Sequence, residues 1–249
     1  MISVTFQLLF IIHIFRPSEQ GCTLYKEESK LNCDLIKEIL NEHNECREVI
    51  AAGKSKLDPG KDIWVLKWDD ELAKVAQAYA NKCLFTHNKG RPKGTGENLA
   101  WKRNSKKKRG DLKYMTHLWY EEINLYDPAG PLNITETGHF TQMIWADTKF
   151  VGCGVSFYED GKHPNSPYQT LLVCNYKPPG NYPTPPYEKY DGTRCSRGVQ
   201  STVFPHLCAH DQEHADGKYV PCSGIKLQST SILLFFFLLC RYYHHNLYL

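Results

Sequence analysis

Two stretches decide how this chain reads: Gly138-His139-Phe140-Thr141-Gln142-Met143-Ile144-Trp145 and Leu171-Leu172-Val173-Cys174-Asn175-Tyr176-Lys177-Pro178-Pro179-Gly180-Asn181-Tyr182. The first predicts a short helix over Phe140 to Trp145, with an imidazole at its start. The second is a β-forming run stopped by Pro178-Pro179-Gly180. Working outward, Phe150 to Tyr158 is a second such run. Glu159-Asp160-Gly161 and a Pro/Asn/Ser loop separate it from Thr170 to Tyr176, so the two predict an antiparallel pair. Upstream, Ile36, Ile39, Leu40, His43, Cys46 and Ile50 recur at helical spacing over residues 33–52. Asp69 is the expected N-cap of a second helix carrying Leu72, Val75, Ala76, Tyr79, Ala80 and Cys83. A third runs from about Asp111 through Leu112, Met115, Leu118, Trp119 and Ile123. Helices followed by strands, without βαβ alternation, predict an α+β fold.

Together the two quoted stretches resemble the diagnostic motifs of the CAP superfamily, which groups cysteine-rich secretory proteins, antigen 5 and pathogenesis-related proteins. The resemblance covers residues 33–187 and implies a three-layer α-β-α sandwich with a central antiparallel sheet. It also implies a secreted, disulfide-bonded binding scaffold. Beyond Pro178, the prolines Pro179, Pro183, Pro185 and Pro186 predict an extended exit from the domain. Residues 188–224 read as a short disulfide-bearing extension.

Ten cysteines point to an oxidising compartment. Residues 1–21 supply a route there: an apolar run through Phe15, then a polar, small segment to Gly21, as in a secretory signal peptide. The other reading, a membrane anchor, needs a run closer to ~20 residues. At the far end, Ser223 and Gly224, a spacer and the apolar Ile232 to Cys240 follow the order of a lipid-anchor signal across 225–249. Arg241 to Leu249 departs from that order, and a tail with no role is the alternative. The net charge of +3 is local. Lys102, Arg103, Lys106, Lys107, Lys108, Arg109 and Lys113 against Asp111 give +6, which leaves −3 elsewhere. A basic loop on a near-neutral chain argues against a nucleic-acid-binding domain. It offers attraction to anionic headgroups or sulfated glycans, or is simply a solvated loop.

Cys153 and Cys174 lie mid-strand in the expected pair, and the family pattern bridges those positions. Relatives carry a cysteine after the first strand that pairs with the one at Cys83, but Tyr158 stands there in this chain. Cys83 is left to Cys46, to an N-terminal cysteine, or free. Cys195 and Cys208 are expected to close a small loop. Asn133-Ile134-Thr135 is a glycosylation sequon.

The resemblance also implies a site. His87, Glu97 within Gly94-Thr95-Gly96-Glu97-Asn98-Leu99, Glu122 after Trp119-Tyr120, and His139 match residues that converge in a central cleft of the family, where the two histidines hold a divalent metal. Two imidazoles suit Zn²⁺, with Glu97 and Glu122 orienting them. The same four groups could instead form a hydrogen-bonded network without metal. His43-Asn44-Glu45-Cys46-Arg47 matches another family motif and reads as polar support for neighbouring loops. His163, His206, His210 and His214 are expected to face solvent.

A zinc-dependent hydrolase would need a placed water or nucleophile. No His-Glu-x-x-His is present, and no Ser or Cys has a positioned base. A cysteine-rich toxin module needs more cysteines than Cys195, Cys208, Cys222 and Cys240. The expected function is non-enzymatic: a secreted binder of sterol or fatty-acid-like lipid with a metal-capable cleft. An immunomodulatory effector acting through a protein receptor is the alternative.

Overall fold

The computed structural model describes residues 22–212 and residue 222. The signal-peptide segment 1–21 and the apolar tail 225–249 lie outside the described residues, as does His214. In chain order the elements are β1 (Thr23–Leu24), α1 (Cys33–Ala51), β2 (Gly60–Lys61), β3 (Lys67–Trp68), α2 (Asp70–Ala80), β4 (Gly96–Asn104), α3 (Leu112–Glu121), a 3₁₀ turn (Glu122–Asn124), α4 (Ile134–Met143), β5 (Phe150–Glu159), β6 (Tyr168–Lys177), β7 (Glu188–Lys189), β8 (Val199–Gln200) and β9 (Cys208–Ala209). The fold is an α+β sandwich around a sheet of order β1-β5-β6-β4, antiparallel along that path, with β3 parallel to β5.

Residue alternation on the strands builds the layers. Leu172, Cys174 and Tyr176 of β6 join Ile39, Leu40, Met115, Trp119 and Met143 from α1, α3 and α4. Leu171 and Val173 face the other way, onto Ala76, Tyr79 and Ala80 of α2. On that second face the sheet and helix backbones nearly touch. A Cβ on Gly152 would lie 2.3 Å from both Ala73 N and Asp69 O, and one on Gly154 would lie 2.3 Å from Gln77 N.

Each helix starts on a side-chain cap. Asn32, Asp69, Asp111 and Asn133 accept from the backbone N–H groups of Leu35, Leu72, Tyr114 and Thr135. The Asn133 cap explains one correction: α4 begins at Ile134, well before the Phe140 start that apolar spacing predicts. A second correction concerns residues 96–104. Lys102 and Arg103 are expected in a basic loop, yet residues 96–104 form β4, paired along its length with β6. Lys102 and Arg103 therefore belong to a strand, and only the segment after Asn104 is a loop.

The two diagnostic stretches turn out to be one fastening. Thr141 Oγ1 donates to Asn181 Oδ1 (2.7 Å), Asn181 Nδ2 donates to Gly138 O (2.9 Å), and Gly180 N donates to Gln142 Oε1 (2.8 Å). Gly180 must lack a side chain, because a Cβ there would meet the Trp145 ring at 2.8 Å. Asn181 takes φ +63°, a left-handed conformation that asparagine tolerates. These bonds hold α4 against the exit of β6, and α4 carries His139.

Apart from exposed Glu45, the motif on α1 is buried. Arg47 is inaccessible to solvent and donates to five carbonyls: Trp64 (2.8 Å), Met143 (2.9 Å), Trp145 (2.9 Å), Ala146 (3.3 Å) and Thr148 (3.1 Å). Asn44 brackets the backbone of Leu66 with both ends of its amide. His43 bonds Ile39 O (2.7 Å) and Tyr176 Oη (2.8 Å), and burial, aided by Arg47, pushes it down to about 4.

Disulfides join Cys22–Cys83, Cys153–Cys174 and Cys195–Cys208. The N-terminal cysteine, among the partners left open, is the one that takes Cys83. Cys46 is a buried thiol, and the Cys222 thiol is hydrogen-bonded with Cys33. Among the described residues no helix is long and apolar enough to cross a membrane.

Candidate functional site

Glu97 sits near the start of β4, and its side chain is wholly inaccessible to solvent. Its Oε1 accepts from His87 Nδ1 (2.9 Å) and from Asn88 N (2.8 Å). Its Oε2 is buried with no hydrogen-bond partner among the described residues. A buried carboxylate oxygen left bare is costly unless a cation or donor approaches it. His87 lies in the loop after α2, its ring 56% exposed.

The second pair has the same form. Glu122, at the turn that ends α3, directs Oε1 to His139 Nδ1 (2.5 Å). Its Oε2 accepts from the backbone N–H groups of His139 and Phe140, both at 3.0 Å. Trp119 stacks near His139 with centroids 6.4 Å apart, and its Nε1 donates to Leu99 O (3.0 Å). Asn98, the residue after Glu97 on β4, donates from Nδ2 to His139 O (3.0 Å) and so ties this strand to α4.

In both pairs the carboxylate occupies Nδ1. An Nδ1–H bound to a carboxylate leaves Nε2 with the free lone pair, the arrangement found behind metal-ligating histidines. Two Nε2 lone pairs freed in this way are a donor chemistry that fits a borderline cation.

A third histidine, not singled out from sequence, has carboxylates on both sides. His117 of α3 places Nδ1 2.7 Å from Glu42 Oε1 and Nε2 2.9 Å from Glu121 Oε1. Cys46 Sγ lies 3.5 Å from the same Glu42 oxygen, and burial together with Glu42 pushes its thiol well up. Glu42, Cys46 and His117 form the one group of three or more such donors among the described residues whose ligand atoms all lie within 4.8 Å of one another. The pairs Glu42/Cys46 and His117/Glu121 are each i,i+4, a spacing legible in the sequence; that the two helix faces meet is not.

Of the four histidines expected to face solvent, the three described ones are part-buried and partnered. His206 is held by Glu48 Oε1 (2.5 Å), His163 by Asp160 Oδ2 (3.2 Å), and His210 stacks on both Trp64 and Phe150. Asn133 is exposed as the α4 cap, its Nδ2 donating to Glu136 Oε2 (2.9 Å). Of the basic residues, Lys102, Arg103, Lys106, Lys107 and Lys108 are exposed. Arg103 lies over the Trp101 ring and Lys107 over Tyr25, while half-buried Arg109 donates to Glu28 O. On another face, Tyr126, Pro128, Trp145, Pro185 and Tyr187 help line a cavity of about 730 Å³ whose lining also includes Asp147 and Arg197.

Residues 40–176, over half the chain, match the model of the cysteine-rich secretory protein family. The chain is 37% identical to venom allergen 5 of Dolichovespula arenaria over 166 residues, covering 61% of this chain and 79% of that one. It is 35% identical to GLIPR1-like protein 1 of Bos taurus over 209 residues, covering 78% and 79%. Among solved structures, NaASP2, crystallised with Zn²⁺, superposes with a TM-score of 0.56 at 26% identity, covering 69% of this chain and 93% of that chain. The chain belongs to the cysteine-rich secretory protein (CAP) family.

Proposed function

We propose that this protein is a secreted, non-enzymatic binding module that holds one divalent cation, Zn²⁺ being the best match, between His87 Nε2 and His139 Nε2. The observation that carries this reading is the paired use of Nδ1 by Glu97 and Glu122, which turns both Nε2 lone pairs into donors. NaASP2 is a relative whose structure was solved with Zn²⁺. Bound there, the cation would tie the loop after α2 to α4. Three disulfides agree with an extracellular destination. Calorimetric titration of Zn²⁺ into the purified protein tests the site. Measured in a Cys46→Ser background, near-stoichiometric binding should vanish in His139→Ala and weaken by roughly 10–100-fold in Glu97→Gln. In that background, unchanged Zn²⁺ uptake by a folded His87→Ala/His139→Ala protein would refute it.

A second ligand reading concerns lipid. The 730 Å³ cavity has the size of a small-molecule site, with an aromatic and proline wall beside charged groups, which suits an amphiphile such as a sterol or fatty acid. Lys102, Arg103, Lys106, Lys107, Lys108 and Arg109 would favour delivery from an anionic surface. Thr184→Trp, placed on the exposed rim, should abolish binding of a fluorescent sterol or fatty acid, whereas the double histidine variant should retain it within a few-fold. The opposite pattern would move the lipid to the histidine cleft.

A further inference from the structure

We propose that Glu42, Cys46 and His117 form a second cation site, at the junction of α1 and α3, that selects thiophilic ions of the Zn²⁺ and Cd²⁺ type. It is independent of the His87/His139 reading. The three donors come from different chemical classes and from two packed helices. Glu42 and Cys46 lie one turn apart on α1, and His117 reaches across from α3.

The hydrogen-bond arithmetic of His117 is the first argument. A neutral imidazole carries one N–H, yet both ring nitrogens of His117 sit within 2.9 Å of a carboxylate oxygen. One of those contacts therefore needs a second positive species, either a proton or a metal ion. With the N–H donated from Nε2 to Glu121, the lone pair at Nδ1 points at Glu42, and a metal ion bound there, with the two atoms parted by about 0.6 Å more, would be held in a carboxylate–histidine–metal relay.

Charge gives the second argument. Around the cluster stand Glu42, Glu45 and Glu121 against the single ammonium of Lys113, which lies 3.5 Å from Glu42 Oε2 and 3.6 Å from Glu45 Oε2. With Asp111 on the wall of the same depression, the surplus is at least two negative charges before Cys46 ionises, which suits a dication. Lys113 is half exposed and free to swing outward as the ion enters. A surface depression of about 440 Å³, bordered by Glu42, Lys113, Tyr114 and His117, gives access from solvent.

Cys46 supplies the selectivity. It is a buried thiol in a chain whose other core cysteines are bridged. On metal entry its S–H bond breaks, the proton leaves to solvent, and sulfur bonds the ion. A thiolate with imidazole and carboxylate is a donor set for Zn²⁺ or Cd²⁺ and a poor one for Ca²⁺ or Mg²⁺.

Titration of Cd²⁺ into the full chain, expressed through a secretory pathway, reads this directly through the ultraviolet thiolate-to-metal charge-transfer band. The wild type should develop the band with a one-to-one endpoint. Cys46→Ser should lose it, and His117→Ala should weaken Cd²⁺ binding tenfold or more. His87→Ala/His139→Ala and Cys222→Ser should keep the band. Near-ultraviolet circular dichroism establishes that each variant is folded. Should Cys46→Ser fail to fold, half-exposed His117 decides, since unchanged Cd²⁺ affinity in His117→Ala overturns the proposal. A band absent from the wild type, or persisting in folded Cys46→Ser, also overturns it.

Discussion

Arg47 offers a severe test of how the cleft is held. Its guanidinium donates to five carbonyls spread over the loop before β3, the end of α4 and the approach to β5. Burial lowers it to about 9, still above neutral pH, so it acts as a charged donor. Arg47→Lys keeps the charge and offers three N–H donors from one nitrogen in place of a planar fork. At least two buried carbonyls then lose their partner, at about 1–3 kcal/mol each. The expected loss is about 2–6 kcal/mol, against a total stability of about 5–15 kcal/mol for an ordinary domain. Urea unfolding with the disulfides intact, followed by tryptophan fluorescence, measures it. Arg47→Met removes the charge and every donor, and should yield no folded secreted protein. An Arg47→Lys protein within about 0.5 kcal/mol of wild type would refute the role assigned to this residue, because a loss that small is that of an ordinary surface change.

Acid should destabilise the fold through His43. The native state keeps it neutral down to about 4, while the unfolded chain protonates near 6.5. The unfolded state therefore binds the extra proton in that window, and stability falls by on the order of 3 kcal/mol between pH 6.5 and 4. Urea midpoints across that range should show the slope, and His43→Gln should flatten it. Gly152→Ala puts a methyl against the α2 backbone and should cost at least ~1–3 kcal/mol by the same assay. Asn133 should carry an N-glycan, since the residue is exposed, its capping atom is Oδ1 and its Nδ2 is held only by the exposed Glu136. Enzymatic deglycosylation should shift wild type and not Asn133→Gln on a gel.

Much of the fold was legible because it is written in local periodicity. Asp69 capped the helix it was expected to cap, and Cys153 and Cys174 face each other in register. The start of α4 was missed because Ile134, Thr135 and Glu136 are exposed and give no apolar stripe. β4 was missed because Trp101 to Asn104 reads as a charged loop when its pairing partner on β6 is out of view. Of the candidate site, the pairings His87–Glu97 and His139–Glu122 join residues 10 and 17 positions apart on different elements, outside any helical or strand periodicity. Composition could not have found them, and the family motif supplied the names. The His117 cluster had no motif to announce it. Glu121 and Glu122 are neighbours, yet they serve different histidines because the helix turns between them.

Anomalous diffraction at the zinc edge, from crystals of the purified protein grown with stoichiometric Zn²⁺, tests the central claim most directly. A strong peak adjoining Nε2 of both His87 and His139, with their Nδ1 atoms still on Glu97 and Glu122, is the predicted result. Zinc found only elsewhere, with Nε2 of both histidines bonded to protein or water, would contradict the metal reading and leave the two pairs as structural supports.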